Sequence, residues 1–209
     1  MGPKERRQRE RDDTRSRIMD AARELFVLEG YDGVSMRRIA EKIEYSPTAI
    51  YFHFNDKDTL IHELCDTDFL TLAEQFRGAA QIEDPIERVK ATGLAYAGFG
   101  LTYPNHYRLM FMTPHETRAA NSGLDRGNPE EDAYAFLKSI VAEGVAKKLF
   151  RDEYGGDVEL ISQTFWAGVH GVISLEIAKC NDDWIDWTPA QSRIQTMINV
   201  LVDGLVRKG

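Results

Sequence analysis

A chain of 209 residues with 43% hydrophobic side chains can bury a sizeable core, as one unit or as a small head on a larger body. Cys65 and Cys180 stand far apart with no CxxC spacing, which excludes a disulfide framework or a structural zinc site and fits a reducing cytoplasm. The net charge is −8, the charged start is followed by no secretory apolar stretch, and no run reaches the roughly 18 apolar residues that span a bilayer, so no membrane partner is expected.

The charge is unevenly spread. Residues 1–58 balance twelve Lys and Arg against twelve Asp and Glu, so the whole deficit lies in residues 59–209. At the start, Lys4, Arg6, Arg7, Arg9, Arg11, Arg15 and Arg17 outnumber Glu5, Glu10, Asp12 and Asp13, which predicts a mildly basic, frayed arm, either phosphate-seeking or merely solubilising. Ile18, Ala21, Ala22, Leu25 and Phe26 then recur at helical spacing, predicting a first helix from about Thr14 to Glu29, stopped by Gly30. Ser35 caps a second helix that carries Ile39, Ala40 and Ile43 inward and leaves Arg37, Arg38 and Lys42 outside. Ser46-Pro47, a cap followed by the residue best suited to the first helical turn, starts a third from Pro47 to about His53. Asn55 is the expected cap of a fourth helix reaching about Ala80. Further helices are predicted near residues 86–102, 104–112, 130–151, 157–178 and 189–207, with a loop over 113–129. The fold class is therefore all-α: a tri-helical helix-turn-helix head over 1–58 and a helical ligand-binding and dimerisation bundle over 59–209.

Three short helices with a tight turn between the second and third suit insertion of a recognition helix into a DNA major groove, although small helical triads also serve as plain structural modules. Around the expected apolar anchors Ile50 and Phe52, the third helix offers Ser46, Thr48, Ala49, Tyr51 and His53. The run from Ile39-Ala40 through Ser46-Pro47-Thr48-Ala49-Ile50-Tyr51-Phe52-His53-Phe54-Asn55-Asp56-Lys57-Asp58-Thr59-Leu60, preceded by Ala21-Ala22-Arg23-Glu24-Leu25-Phe26 and Gly30-Tyr31, resembles the DNA-binding head of the TetR family. That resemblance implies a homodimeric repressor of double-stranded operator DNA, with nine or so helices per subunit and an effector pocket in the C-terminal body. It also implies that Ser35 and Arg37 lie near phosphates, that Thr48 and Ala49 face bases, and that Tyr51, His53 and Lys57 approach the DNA backbone. Glu44 departs from the pattern by occupying a turn position where the family usually has glycine, so a strained turn is expected there. Phe165 to Val172 resembles the Trp-His-Gly signature of one C-terminal subclass.

Two readings stand for the bundle. Trp166 and His170 share a helix face, either as satisfied core residues or, with Tyr96, Phe99, Tyr103, His106, Tyr107, Met110 and Phe111, as the lining of a pocket for an apolar or aromatic small-molecule effector. For a homodimer interface the candidates are Phe165, Val169, Val172, Ile194, Ile198, Leu201 and Leu205 on the last two long helices. The chain has no HExxH, GxSxG, GxxxxGK[ST] or GxGxxG motif, so neither an enzyme nor a cofactor is expected. A metal-responsive regulator using His106, His115, His170 and Cys180, though their spacing makes no metal site, and a helical protein-interaction adaptor are the alternatives.

Overall fold

The computed structural model describes residues 2–114, 123–154 and 156–207. In chain order the helices are α1 (Pro3–Gly33), α2 (Met36–Lys42), α3 (Pro47–Tyr51), α4 (Lys57–Gln75), α5 (Arg77–Ala80), α6 (Pro85–Thr102), α7 (Pro104–Phe111), α8 (Ala133–Ala146), α9 (Val158–Lys179) and α10 (Ala190–Leu205). One isolated antiparallel bridge pairs Phe150 with Val206.

The caps explain most of the starts. Ser35 accepts from the Arg38 amide at 3.1 Å and Ser46 from the Ala49 amide at 3.3 Å, each satisfying an N–H that a helix start leaves open. Asp84, Asp132 and Asp157 do the same for α6, α8 and α9. At α4 the cap is Asp56, which accepts from the Thr59 amide at 2.7 Å, and not the expected Asn55. Those backbone donors hold the Asp56 carboxyl below its ordinary range, because they favour the charged form. The expected fourth helix to Ala80 is divided, with α4 ending at Gln75 and α5 following.

The chain divides into two compact units, one of residues 1–68 with 105–123 and one of 69–104 with 124–209. The expected boundary after residue 58 falls inside the first unit, because the early turns of α4 and most of α7 pack with the head. The core of this unit contains Ile18, Ala22, Phe26, Ile39, Ile50, Phe54, Leu60 and Leu64, all 1% exposed or less. Its α1 begins at Pro3, so the basic arm is helix and not frayed coil. Pairs one turn apart, Arg6 to Glu10 at 2.8 Å and Gln8 to Asp12 at 2.9 Å, support those turns. Gly30, at φ 75° and ψ 167°, breaks the helix just before its end.

In the second unit α6, α8, α9 and α10 pack on one another, with Phe99, Ile140, Ile161, Ile173 and Ile198 all 1% exposed or less. Glycines set the close approaches. A Cβ on Gly168 of α9 would stand 2.6 Å from Leu201 Cδ1, and one on Gly93 of α6 would stand 3.0 Å from Phe165 Cζ, so both side chains use space that only glycine leaves open.

Of the expected dimerisation residues, Phe165, Val169, Val172, Ile194, Ile198 and Leu205 are each 8% exposed or less within a single protomer and so form part of its own core, while Leu201 is half-buried over Gly168 of the same chain.

Candidate nucleic-acid interface and effector residues

The turn between α2 and α3 carries the head's local strain. Glu44 adopts φ 61°, the left-handed conformation anticipated for this glycine-like position. The Tyr45 amide donates back to Ala40 at 2.9 Å, closing the turn, and Ser46-Pro47 then launches α3.

On α3, Ile50 is fully buried while Pro47 and Thr48 are exposed, Ala49 is half-buried and Tyr51 is 52% exposed. The expected anchor Phe52 is 70% exposed, and Phe54, at 1%, takes the inward place. Phe52 follows the last α3 residue and turns out of the core. Ser35 and Arg37 are also exposed, with Arg37 paired to Glu41 at 2.9 Å along α2.

Arginines of α1 bracket this surface, a feature that reading the segment as a frayed arm missed. Arg11 lies 5.4 Å from the Phe52 ring centroid and Arg15 lies 4.4 Å from that of Phe54. Arg15 also donates to the His53 carbonyl at 3.2 Å and pairs with Glu63, while Arg17 donates to the Tyr45 hydroxyl at 3.2 Å. Their spacing along a helix was the available signal. His53 Nδ1 is buried without a hydrogen-bond partner among the described residues, and burial, followed by Arg11 and Arg15, lowers its pKa.

Lys57 is also engaged inside the head. Its ammonium donates to the Tyr31 carbonyl at 2.8 Å and the Val34 carbonyl at 3.0 Å, and lies 3.9 Å from the Tyr31 ring centroid. It ties the end of α1 to the start of α4, and two of its donors are already used inside the head.

A second polar cluster joins α1, α4 and α7. Arg23, 5% exposed, makes a forked contact to Asp68 at 3.1 and 2.8 Å and reaches Asp20 at 2.8 Å. His106 Nδ1 lies 2.9 Å from the same Asp68 carboxylate, which is 0% exposed. His106 therefore lies beside a carboxylate, without hydrogen-bond geometry at its Nδ1, and Tyr107, also 0% exposed, is core with its ring 4.9 Å from that of Phe111. Met110 is half-buried on the same helix.

The remaining predicted effector residues belong to the second unit. Trp166 Nε1 donates to the Tyr96 hydroxyl at 3.0 Å, and that hydroxyl lies 3.2 Å from His170 Nδ1. Burial lowers the His170 pKa and so favours the neutral ring, which in its Nε2–H tautomer accepts a hydrogen bond from the tyrosine hydroxyl at Nδ1. The result is a chain of polar groups linking α6 to α9. Trp166 is 37% exposed with Tyr134 at 5.7 Å between ring centroids, whereas Phe99 is 1% exposed and faces Tyr103 at 5.5 Å.

Among the four proposed metal ligands, His115 lies outside the described residues. His170 and Cys180 sit ten positions apart on and just beyond α9, roughly 15 Å along the axis, too far for one coordination sphere. No group of three or more His, Cys, Asp or Glu able to hold a metal occurs among the described residues.

A short capped helix presented beyond a tight turn, on a scaffold with arginines at its flank, defines a helix-turn-helix DNA-binding regulator. Residues 18–64 match the family described as "Bacterial regulatory proteins, tetR family", and residues 89–198 match "Tetracyclin repressor-like, C-terminal domain". The chain belongs to the TetR family. It is 37% identical over 82 residues to the HTH-type transcriptional regulator UidR of Escherichia coli (strain K12), a stretch covering 39% of each chain. It is 25% identical over 192 residues to the HTH-type transcriptional regulator Mb1846 of Mycobacterium bovis, covering 80% of this chain and 82% of that one. The fold is shared with a TetR family transcription regulator from Marinobacter aquaeolei VT8, with TM-score 0.76, 17% identity, and 97% and 100% of the two chains covered. No described helix is long and apolar enough to cross a membrane.

Proposed function

We propose that this regulator binds a pseudo-palindromic operator as a homodimer in the cytoplasm, represses transcription, and is released by a small apolar or aromatic ligand taken up by its C-terminal bundle. The observation that carries the DNA reading is the outward face of α3, where Thr48 and Tyr51 are exposed and Ala49 half-buried on a helix fixed by Ser46 and Ile50. Thr48 and Ala49 read base edges, while Ser35, Arg37, Tyr51 and the α1 arginines position the backbone.

The test is selection of duplexes from a random pool followed by gel shift. The expected result is a two-fold related site whose binding weakens steeply with salt, as phosphate neutralisation requires. Thr48→Ala should change the preferred bases, each worth about 1–3 kcal/mol. No duplex binding at low salt would sink the proposal.

A different surface from the one expected supports the dimer. Leu160, Thr164, Ala167, Gly171, Leu175 and Ala178 recur at three- and four-residue steps on the outward side of α9, without a charge among them. Leu160 and Leu175 are 49% and 50% exposed, and a Cβ on Gly171 would meet nothing within 4 Å. Val200 of α10 is 61% exposed. Small residues between exposed leucines allow a partner helix to approach closely, and a two-fold axis would bring α9 and α10 of each copy together.

For the ligand, the support is Trp166, partly exposed and hydrogen-bonded through Tyr96 toward His170. A ligand that rearranges this chain shifts the regulator only by the difference in its affinity for the two head arrangements. A coupling of about 1–3 kcal/mol would weaken operator binding roughly 5- to 150-fold. Operator retention titrated with aromatic and aliphatic compounds measures it, and retention unchanged by every compound that binds would remove the inducer reading.

A further inference from the structure

We propose that the cleft beside the start of α9 binds a small organic anion, its carboxylate or phosphate held by Lys148, Arg151 and Arg207 and its apolar part laid against Val145 and Phe150. The cleft has a volume of about 440 Å³, within the range that encloses small molecules, and Asp152 and Gly156 complete its lining. The lining holds three cations and one carboxylate, with a second carboxylate, Glu153, 3.8 Å from Arg151.

The backbone brings the cations together. The Phe150–Val206 bridge is closed by the Arg151 amide donating to Leu205 at 3.0 Å and the Arg207 amide donating to Leu149 at 2.8 Å. Both guanidinium groups therefore start from adjacent points on paired segments. Arg151 is fixed by donating to the Val206 carbonyl at 3.1 Å and the Asp203 carbonyl at 2.8 Å, and its Nη1 lies 3.8 Å from Glu153. Arg207 pairs with Asp152, whose side chain is 89% exposed. A pair that open to water is held weakly, so an incoming oxyanion can take the aspartate's place at the guanidinium fork. Lys148 adopts φ 57° just beyond α8, is exposed, and forms no ion pair among the described residues.

The apolar wall is equally built. Phe150 is 7% exposed and closes against Gly144, where a Cβ would stand 2.6 Å from its ring. Gly156, at φ 69°, takes a conformation that keeps the opposite wall free of a side chain 3.3 Å from Val145. Trp166 and His170 lie two to three turns further along α9, so this cleft is separate from the aromatic chain described above.

Calorimetric titration of the full-length protein with hexyl phosphate, hexanoate, inorganic phosphate and hexanol tests the proposal. Saturable binding of hexyl phosphate or hexanoate is expected, the tighter of the two identifying the preferred oxyanion, with hexanol at least about tenfold weaker. Lys148→Asn, which suits the left-handed backbone, and Arg207→Gln should each weaken the anion about tenfold, the size of one lost charge-assisted hydrogen bond. His170→Asn should leave the affinity unchanged, and the anion should raise the wild-type melting temperature more than that of either cleft variant. Failure of both organic anions to saturate, hexanol binding as well as they do, or unchanged affinity in both cleft variants would overturn the site. Inorganic phosphate binding as tightly as hexyl phosphate would overturn the role given to Val145 and Phe150.

Discussion

Asp68 has a carboxylate with no access to water, and the oxygen that accepts from the Arg23 guanidinium at 2.8 Å also lies 2.9 Å from His106 Nδ1. Asp68→Asn keeps the shape but removes the charge, leaving Arg23 buried with only the exposed Asp20 as counter-ion. Loss of one partner from a buried pair costs about 3–5 kcal/mol, so the urea midpoint should fall sharply while the circular dichroism of the folded fraction stays helical. An unchanged midpoint would mean that Arg23 reaches solvent. His170 makes a pH prediction. Burial holds its pKa below the ordinary 6.5, so on acidification the unfolded chain takes up this proton before the folded one does. The contribution is present above about pH 6.5 and is lost as pH falls through the folded value. His53 shifts in the same direction, so the comparison must be with His170→Asn: the wild-type melting temperature should drop more between pH 7 and pH 5 than that of the variant. Parallel curves would contradict the burial account. Only the second of these sites was legible in the sequence, through Trp166 and His170. Asp68, on α4, and His106, on α7, meet only once the chain is folded, whereas the shared face of Trp166 and His170 follows from a four-residue step.

At the level of elements, the sequence was most legible where a local hydrogen bond decides the start. Ser35, Ser46-Pro47 and Asp84-Pro85 mark three helices whose caps need only neighbouring residues. It was less legible where side chains some distance apart decide. The first turns of α1 are charged all round and carry no apolar stripe, so periodicity alone put their start too late. Phe54 takes the inward place expected of Phe52 because it lies one helical turn after the buried Ile50, its amide donating to the Ile50 carbonyl at 3.0 Å, whereas Phe52 lies only two residues after Ile50 and so on another face. Glu44 yields the prediction of this scale. A side chain in the left-handed region costs about 1–2 kcal/mol relative to ordinary helix geometry, and glycine removes most of that while adding backbone freedom to the unfolded chain. Glu44→Gly should therefore raise stability by roughly 0.5–1 kcal/mol in urea denaturation. A lower midpoint would show that the Glu44 side chain contributes more than its backbone costs. Lys57→Ala should weaken the head itself, by about 1–2 kcal/mol, since its ammonium bonds two carbonyls inside it.

For the whole molecule, the all-helical class and the order of the helices followed from apolar spacing, but the division of α9 between core and surface did not. A helix with apolar residues on two sides gives one pattern in sequence, so spacing alone does not separate the buried set centred on Phe165 and Val169 from a set that meets a partner. The exposed stripe from Leu160 to Ala178 is the dimer face proposed above. Leu175→Glu should shift sedimentation toward the monomer and reduce operator retention in parallel, since an unpaired charge in an apolar contact costs several kcal/mol. A dimer that persists would move the interface off this face. Two-fold symmetry in the proposed dimer would give the stripe a further property. Across a two-fold axis each residue enters the contact once from either side, so one codon change alters the interface at two places. A mixed assembly of one Leu175→Glu and one wild-type chain then carries a single defect, and its dissociation constant should fall near the geometric mean of the two pure forms. A helix lined in this way converts modest substitutions into large changes in assembly, and it lets a defective copy be partly carried by an intact one.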